Sequence, residues 1–409
     1  MLYPGLADIY TGGEFPIAAL QIYNETKYAS LGNLDYRGDL GTFPHKAHSA
    51  SVNTLSLDPI YNNFLVSGSS DSSIKLWDLQ KTEVHNIDGE SYLKYEPVVT
   101  LPRKSVHDYG VTKVKWWPDN GMVLSSSYDF KVNVIDAELM SVAHTFKLNA
   151  RVIDFDFSPK GDSTMVAACL DDGIGVKLLD LRTVADVQKL GGEEGARMST
   201  AAWSPINSNI CVGGGVDGSC YGWDIRSSEK HLFELDSNLT SSKSHAGSRL
   251  KGKAHHGRVN SMIFNSEGTE LITLGHDNKI KVWDLCTHSK PFNKLLNFGP
   301  LIRNKVNQRI DMCLSPALET EISFLWVPSD TGEVLVYRAE DGSLVARLNR
   351  SGRANLQTRS FSIACSGGNQ TRYYSGCKDG TISVWGYETK QEPDVTYFDN
   401  GVDLVIEDS

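Results

Sequence analysis

The sequence predicts an all-β protein, a seven-bladed β-propeller with a short helical extension at its N-terminus. Two observations predict this fold: one turn-and-strand signature recurs along the chain, and its copies lie at intervals typical of propeller blades. Five copies place an Asp in a turn of small residues and an aromatic residue (once Ile) six positions later: Asp71 with Trp77, Asp129 with Ile135, Asp217 with Trp223, Asp277 with Trp283 and Asp379 with Trp385. Two looser copies, at 170–180 and 329–338, carry one extra residue between these positions.

The spacing of the copies sets the number of blades. Their end positions are 77, 135, 179, 223, 283, 337 and 385, so neighbouring copies lie 44 to 60 residues apart. Propeller blades repeat about every 40–45 residues, and loop insertions lengthen that period. Segments such as IKLW, IKVW and ISVW alternate as strands packed on two sides do, and the Gly, Ser, Asp and Asn between them favour tight turns. Seven copies therefore predict seven four-stranded blades.

Histidines recur in register with this signature. Three of them precede the turn Asp of their blade by 22 or 23 residues, and each is followed four positions later by Val. The spacing is similar to the Asp–His–Ser/Thr–Trp hydrogen-bond network of the WD40-repeat family. The residues that the pattern assigns to this network are His48, Ser67, Asp71, Trp77, His107, Asp129, His255, Thr273, Asp277 and Trp283. A hydrolytic triad uses similar residue types, but a triad occurs once in a protein, so we expect a structural role in which each His pins a turn.

Composition and charge exclude several classes of protein. The 409 residues carry 40 Lys and Arg against 50 Asp and Glu, a net charge of −10. We expect little direct DNA binding, because non-specific binding relies on cations that neutralise phosphates. No apolar run approaches the roughly 20 residues of a membrane helix, and the N-terminus lacks a basic signal-peptide region, so we expect no membrane association. The seven cysteines form no CxxC pair and suit a reducing compartment better than a disulfide framework or a zinc site.

No motif in the chain predicts an enzyme. There is no GxxxxGK[ST] loop, and no single constellation of acid, base and nucleophile stands out. We therefore expect no catalytic residue, no cofactor and no metal. The basic stretch at 243–258, KSHAGSRLKGKAHHGR, has two interpretations: a flexible loop rich in Ser and Gly, which we favour, or a nucleic-acid or nuclear-import patch.

The pattern divides the chain into three regions. Residues 1–35 form an N-terminal helix-loop-helix and a ring-closing strand, residues 36–387 form the propeller, and residues 388–409 form an acidic tail that we expect to be disordered. The first region is either a ragged terminus or a pair of docking helices, since Pro16 suits a helix start and short apolar faces follow it. Residues 28–36 are predicted to supply the outer strand that closes the ring onto the last blade. The tail holds seven acidic residues against Lys390 alone.

From residue 1 to about residue 385, the chain resembles the Cockayne syndrome group A family of WD-repeat proteins. The resemblance rests on five segments: AHHGRVNSMIFNSEGTELITLGHDNKIKVWD at 254–284, LLNFG at 295–299, YYSGCKDGTISVW at 373–385, VKWWPDNGMVLSSSYDFKVNVID at 114–136 and WSPINSNICVGGGVDGSCYGWDIR at 203–226. Members of that family act in transcription-coupled nucleotide excision repair, as substrate receptors of a cullin-RING ubiquitin ligase. The resemblance implies a nuclear protein without catalytic residues.

The resemblance also implies partners and the residues that meet them. The partners are the ligase adaptor (the large damaged-DNA-binding subunit), the repair ATPase of the Cockayne syndrome group B family and the RNA polymerase II elongation complex. The family's N-terminal helices enter the adaptor, and its WDxR box contacts it; the residues that match here are Leu2, Leu6, Ile9, Leu20, Tyr23, Trp223, Asp224 and Arg226. The corresponding boxes at 77–80 and 283–286 lack the Arg, and the one at 179–182 lacks the Trp.

The chain departs from the family pattern in two places. Leu148 and Glu194 stand where a blade His is expected, and the N-terminal segment has no Arg before Arg37, whereas the family's helices are more basic. The alternative function is a general WD-repeat scaffold for chromatin or ribosome-assembly complexes, without ligase recruitment. That alternative predicts a partner held at the central channel and a dispensable N-terminal segment.

Overall fold

The fold is seen in a computed structural model. It describes residues 34–40, 46–81, 83–87, 90–173, 175–191, 197–227, 230–240, 252–286, 290–306, 308–315, 323–349, 359–365 and 372–386. The helices predicted near the N-terminus and the acidic tail at 388–409 lie outside the described residues.

The described residues form seven four-stranded antiparallel sheets, so the predicted seven-bladed propeller is confirmed. Blade 1 has β2 (Val52–Leu57), β3 (Phe64–Ser69), β4 (Ile74–Asp78) and β7 (Pro97–Leu101). Blade 2 has β8 (Val111–Trp116), β9 (Met122–Ser127), β10 (Lys131–Asp136) and β11 (Ser141–Lys147). Blade 3 has β12 (Val152–Phe157), β13 (Met165–Leu170), β14 (Val176–Asp180) and β15 (Ala185–Leu190). The strands of blades 4 and 5 are β16 (Met198–Trp203), β17 (Ile210–Gly215), β18 (Cys220–Asp224) and β19 (Phe233–Glu234); β20 (Val259–Phe264), β21 (Glu270–Gly275), β22 (Ile280–Asp284) and β23 (Phe292–Asn293). Blade 6 has β24 (Cys313–Leu314), β25 (Phe324–Pro328), β26 (Val334–Arg338) and β27 (Leu344–Leu348), and blade 7 has β28 (Ser360–Cys365), β29 (Arg372–Cys377), β30 (Ile382–Gly386) and β1 (Asp35–Leu40).

The recurring signature marks the third strand of every blade. The end positions 77, 135, 179, 223, 283, 337 and 385 lie in β4, β10, β14, β18, β22, β26 and β30. Each third strand has neighbours on both sides in its sheet and on both faces in the ring, which explains its apolar alternation. A separate hairpin, formed by β5 (Glu83–Ile87) and β6 (Glu90–Lys94), is inserted between the third and fourth strands of blade 1.

The ring closes by pairing one strand from near the start of the sequence with the last blade. β1 runs antiparallel to β30, with Asp35 opposite Gly386 and Leu40 opposite Ile382. The sequence placed this closing strand at 28–36, and the observed strand overlaps that segment only at its first two residues. The register of β1 is set by its pairing with β30, which lies at the other end of the chain and cannot be read from the local sequence. Closure removes two free sheet edges.

The hydrophobic core lies between neighbouring blades. First strands contact the first strands of adjacent blades, so they line the centre of the ring. Large side chains fill the gaps between sheets, and Trp77, Trp223, Trp283 and Trp326 are fully buried. Each such indole removes a large apolar area from water, which holds successive blades together.

The propeller has two faces that differ in the loops they carry. One face carries the turns between second and third strands, such as residues 70–73, together with the loops that lead into first strands, such as residues 102–110. We call this the upper face. The lower face carries the turns between first and second strands and between third and fourth strands.

Candidate partner-binding faces

The hydrogen-bond network is complete in blade 5. Trp283 Nε1 donates to Thr273 Oγ1 at 2.9 Å, and the hydroxyl lies 2.8 Å from His255 Nε2. The other ring nitrogen, Nδ1, lies 3.0 Å from Asp277 Oδ1. Burial lowers the pKa of His255, which favours a neutral imidazole; a neutral ring that donates from Nδ1 to the carboxylate accepts the hydroxyl proton at Nε2. The chain of bonds ties the loop before β20 to the turn after β21.

Blades 1 and 2 carry variants of this network. In blade 1, Trp77 and His48 meet at Ser67 Oγ (2.9 and 2.7 Å), but the imidazole bonds Ser73 Oγ at 2.9 Å and lies 3.5 Å from Asp71. In blade 2, His107 lies 3.0 Å from Asp129 and 2.8 Å from Ser125, while Ile135 supplies no indole donor. The structure therefore brings all ten network residues together within their own blades.

This arrangement cannot act as a hydrolytic triad. The hydroxyls of Ser67, Ser125 and Thr273 are fully buried, and two of them already accept an indole N–H. A nucleophile must reach a substrate carbonyl, and these do not reach the surface. The network fixes the upper-face turns instead, which is a structural role.

The network makes stability depend on pH, with a definite sign. Burial lowers the pKa of His255 and of His48 below the ordinary value of 6.5, although their Asp partners oppose the shift. Burial alone would raise the pKa of Asp277, but hydrogen bonds from His255 and backbone amides lower it to about 2. The unfolded chain therefore binds protons at these sites that the folded chain does not, so stability falls as pH drops through 6.5 and falls further below 3.8.

We expect urea midpoints measured between neutral pH and pH about 5 to decrease as the pH falls, because the buried histidines resist protonation. The variant His255→Gln should start less stable and lose part of this acid sensitivity. His231 is exposed, so His231→Gln should keep the wild-type pH dependence. Parallel pH profiles for the wild type and His255→Gln would contradict the assignment.

A loop crosses the upper mouth of the central channel. This crossing loop, residues 303–306 and 308–311, leads into β24. Its Asn304 donates to the carbonyl of Gly275 in blade 5, and the amide of Asp311 donates to the carbonyl of Phe361 in blade 7. Arg309 reaches across the ring to blade 3, where its Nε lies 2.8 Å from Asp154 Oδ1. The loop therefore links blades 3, 5 and 7 across the upper side of the ring.

A buried ion cluster anchors that loop. Asp154 is fully buried and also lies 2.9 Å from Lys113 Nζ, while Thr200 Oγ1 donates to its other oxygen at 2.8 Å. Burial alone would raise the pKa of Asp154, but Arg309 and Lys113 hold it below its ordinary value. Burial alone would lower the pKa of Arg309, but Asp154 and Asp311 raise it. Each charge is thus stable only because its partners are present.

The upper face is basic although the chain as a whole is acidic. Exposed cations occur in its loops around the ring, at Lys46, Arg103, Lys104, Arg151, Arg197, Lys253, Lys279, Arg303, Lys305 and Lys378. Among the described residues of these loops, the exposed carboxylates are Asp108, Asp171 and Asp217. The remaining turn carboxylates, such as Asp71, Asp129 and Asp277, lie partly buried within their networks. The whole-chain charge therefore hides a face that attracts acidic partners.

The lower face is nearly balanced in charge, and both faces expose apolar side chains. The described turns of the lower face expose six cations (Lys81, Lys160, Arg182, Arg226, Lys230, Lys290) and seven carboxylates (Glu96, Asp119, Glu138, Asp162, Glu267, Glu340, Asp341). Exposed apolar side chains are spread over blades 1 to 4, at Ile60, Tyr61, Leu139, Val184, Ile206 and Leu232. The near balance of charge is what distinguishes this face from the basic upper face.

The WDxR box lies at the edge of the lower face. The indole of Trp223 is fully buried and donates to the carbonyl of Gly191 at 2.7 Å. A partner protein can therefore contact the other residues of the box but not this indole. Arg226 makes a two-pronged ion pair with Asp224, with Nη2 to Oδ2 at 2.6 Å and Nε to Oδ1 at 3.0 Å, and 67% of its side chain is exposed. The guanidinium is therefore held in place and presented outward.

The N-terminal adaptor residues predicted from the resemblance, Leu2, Leu6, Ile9, Leu20 and Tyr23, lie outside the described residues. The point from which that segment departs is described. Asp35 pairs with Gly386 at the lower end of blade 7, so the described part of the chain begins at that end of the blade. Blade 7 and blade 4 lie on opposite sides of the ring, so a partner that meets both this point and Arg226 covers much of the lower face.

Sequence reasoning missed the crossing loop and its ion cluster. Lys113, Asp154 and Arg309 belong to three different blades or loops and meet only because the ring closes. The one available signal was a charged residue inside an otherwise apolar first strand, as in VIDFDF at 152–157. No cluster of three or more metal-ligating side chains occurs in the described part of the chain. Within the same part, no helix is long and apolar enough to cross a membrane.

Comparison with known proteins agrees with this architecture. The family "WD domain, G-beta repeat" matches residues 39–78, 96–136 and 248–284. WD repeat-containing protein ATCSA-1 of Arabidopsis thaliana is 24% identical, over 83% of this chain and 86% of that protein. Radiation-sensitive protein 28 of Saccharomyces cerevisiae is 28% identical, over 60% of this chain and 52% of that protein.

A second group of relatives carries a different name. Ribosome biogenesis protein WDR12 homolog of Drosophila mojavensis is 28% identical, over 46% of this chain and 45% of that protein. The chain therefore spans about half the length of the yeast and Drosophila relatives but most of the Arabidopsis one.

Proposed function

The chain is a WD40-repeat protein, and we propose that it is a non-catalytic substrate receptor in transcription-coupled nucleotide excision repair. In this role it links the adaptor of a cullin-RING ubiquitin ligase, the large damaged-DNA-binding subunit, to RNA polymerase II stalled on DNA. The link to the polymerase runs through the repair ATPase of the Cockayne syndrome group B family. The protein then acts in the nucleus, and ubiquitin transfer gains from proximity, since tethering raises the local concentration of acceptor lysines.

The observation that carries the proposal is the chemical difference between the two faces. The lower face combines exposed apolar side chains with the outward-facing Arg226, as a stable protein interface requires. The upper face is basic and is crossed by the loop that carries Arg309. A bridge between two assemblies needs two such separate surfaces, because partners that share one surface exclude each other.

The relatives support this role in different degrees. The name of the Arabidopsis relative, ATCSA-1, agrees with the Cockayne syndrome group A resemblance, and the yeast relative is named for radiation sensitivity. Alignment over most of the Arabidopsis protein supports a shared WD-repeat architecture.

The second candidate function is a scaffold for chromatin or ribosome-assembly complexes, without ligase recruitment. The relatives named for ribosome biogenesis favour it. A scaffold of this kind that holds its partner at the upper side of the central channel would meet the crossing loop with Arg309 there.

A pull-down from nuclear extract tests the proposal. We expect the intact chain to retain the ligase adaptor, and a deletion of residues 1–24 to lose it while keeping the repair ATPase. Arg226→Ala should weaken adaptor binding by roughly 5- to 30-fold, as loss of an exposed anchoring Arg does. The matched control is Arg182→Ala, since Arg182 is exposed at the equivalent place in blade 3 but follows a Leu-Asp-Leu sequence.

Two outcomes would contradict the receptor role. If the ATPase and polymerase come down without any adaptor, the protein is a repair factor that recruits no ligase. If chromatin or ribosome-assembly proteins come down instead of both, the second candidate function replaces the proposal.

A further inference from the structure

One aromatic side chain on the upper face occupies a backbone position that other blades reserve for small residues. Phe130 has φ of 68° in the turn between β9 and β10. The equivalent positions in the other blades hold Ser72, Gly173, Gly218, Asn278, Gly332 and Gly380, all with positive φ. A bulky residue in the left-handed region costs conformational energy, and such outliers concentrate at functional sites.

Geometry confirms that these positions are equivalent. The carbonyls of Gly380 and Gly218 accept from the amides of His48 and His255, and the carbonyl of Phe130 accepts from Leu148 in the same way, at 2.7 Å. A Cβ added at Gly218 would lie 2.0 Å from a backbone oxygen, so that blade admits only Gly. Blade 2 therefore accommodates a phenyl ring at a position where blades 4 and 7, with Gly218 and Gly380, have no room for a side chain.

Two further aromatic residues lie beside Phe130. Tyr128 begins the same turn, and its amide donates to the carbonyl of Gly110, while Ser127 Oγ donates to the carbonyl of Tyr109. The loop that carries Tyr109 and the turn that carries Phe130 are thus joined by hydrogen bonds. The exposed fractions are 65% for Tyr109, 40% for Tyr128 and 44% for Phe130. Three exposed aromatic rings on adjoining loops form a surface that a protein does not need for its own core.

Exposed cations lie in the same loops and strand ends as these aromatic residues. Arg103 and Lys104 are exposed in the loop of Tyr109, Lys147 is exposed opposite Lys131 in the β10–β11 pairing, and Arg151 is exposed just beyond. Two exposed carboxylates lie nearby: Asp108 is paired with Lys131 at 2.7 Å, and the amide of Asp171 donates to the carbonyl of Arg151. We define the blade-2 patch as Tyr109, Tyr128, Phe130, Arg103, Lys104, Lys147 and Arg151.

We propose that the blade-2 patch docks an acidic peptide segment of a partner protein, with an apolar or aromatic side chain of that segment packed on Phe130. The aromatic rings supply the anchor, since rigid aromatic residues carry much of the binding energy at interfaces. The four exposed cations complement the acidic residues on either side of the anchor. The inference uses only described residues and does not depend on the proposed repair role.

Charge also argues against nucleic acid as the occupant. A phosphate backbone carries a closely spaced row of negative charges. The blade-2 patch is interrupted by the exposed carboxylates of Asp108 and Asp171. A peptide can place its acidic residues between these carboxylates, whereas a continuous polyphosphate cannot avoid them.

Fluorescence anisotropy tests the proposal with the full-length chain. The probe is a fluorescein-labelled peptide in which Asp and Glu flank a central pair of Phe residues. We expect the wild type to bind this peptide with an affinity that falls as salt is added. The affinity should be at least roughly tenfold lower in Phe130→Gly, and similarly lower in the double variant Arg103→Glu with Lys104→Glu. Phe130→Gly removes backbone strain, so its unfolding midpoint should equal or exceed that of the wild type. Loss of binding with retained stability then separates docking from folding.

Matched controls complete the experiment. Tyr61→Ser removes a more exposed aromatic ring from the lower face and should leave the peptide affinity unchanged. Equal affinity of the wild type and Phe130→Gly for the peptide overturns the proposal. Preferential binding of a labelled single-stranded oligonucleotide overturns it in favour of nucleic acid. If the peptide binds only after deletion of residues 388–409, the proposal of a partner protein is overturned, and the patch is assigned to the chain's own acidic tail.

Discussion

The variant Asp154→Asn is expected to lower the free energy of unfolding by about 3–5 kcal/mol. Asp154 is fully buried and is the carboxylate that both Lys113 and Arg309 face, at 2.9 and 2.8 Å. Without its charge, two cations remain buried with less compensation, and an uncompensated buried charge is far more costly than a broken surface pair. The measurement is equilibrium urea denaturation followed by tryptophan fluorescence.

The control for this variant is an exposed ion pair. Lys253→Ala removes the partner of Asp217, and because half of each side chain is exposed, the loss should stay below about 1 kcal/mol. Combining Asp154→Asn with Arg309→Met should recover about 1 kcal/mol or more, since the second change removes one of the orphaned charges. A loss for Asp154→Asn no greater than that for Lys253→Ala would show that the crossing loop is not anchored by charge.

Trp223→Ala is expected to be destabilising to a similar extent, by about 3–5 kcal/mol. The indole is fully buried between blades 3 and 4, and the substitution leaves a cavity and an unpartnered carbonyl at Gly191. Thermal unfolding followed by circular dichroism would report it. Arg226→Ala, three residues further on and exposed at the lower face, should leave the midpoint within about 1 °C because surface changes cost little.

This pair of variants separates the two halves of the WDxR box. If Trp223→Ala unfolds easily while Arg226→Ala stays stable but binds the adaptor weakly, the Trp builds the blade and the Arg meets the partner. A stable Trp223→Ala protein would contradict the packing of blades 3 and 4 described above.

The blades could be predicted because each one contains the same local sequence pattern. A turn Asp, a small-residue turn and an alternating third strand are specified within a dozen or so residues, and local patterns of this kind are readable. The network residues of blade 5 follow the same logic, since His255 and Asp277 are fixed by the repeat that contains them. The closing strand was misplaced because its register depends on β30, at the other end of the chain.

Features that depend on ring closure could not be predicted. The contact between Arg309 and Asp154 joins a loop and a strand that belong to non-adjacent blades, and no spacing rule links them.

The basic charge of the upper face also could not be predicted, because it depends on which charged side chains are exposed. The net charge of −10 counts partly buried carboxylates such as Asp71 and Asp277 equally with exposed lysines, although only exposed groups meet a partner. Phe130 lies in the printed signature SSSYDFKVNVID, but only its φ of 68° distinguishes it from an ordinary turn residue.

The central claim is that one propeller joins two partners through separate faces, and a ternary binding measurement tests it most directly. The purified chain is mixed with the ligase adaptor and the repair ATPase, and the complexes are weighed in solution by analytical ultracentrifugation. The account predicts a single species that contains all three proteins, from which Arg226→Ala weakens only the adaptor. Mutually exclusive binding, in which the adaptor displaces the ATPase from the propeller, would contradict it.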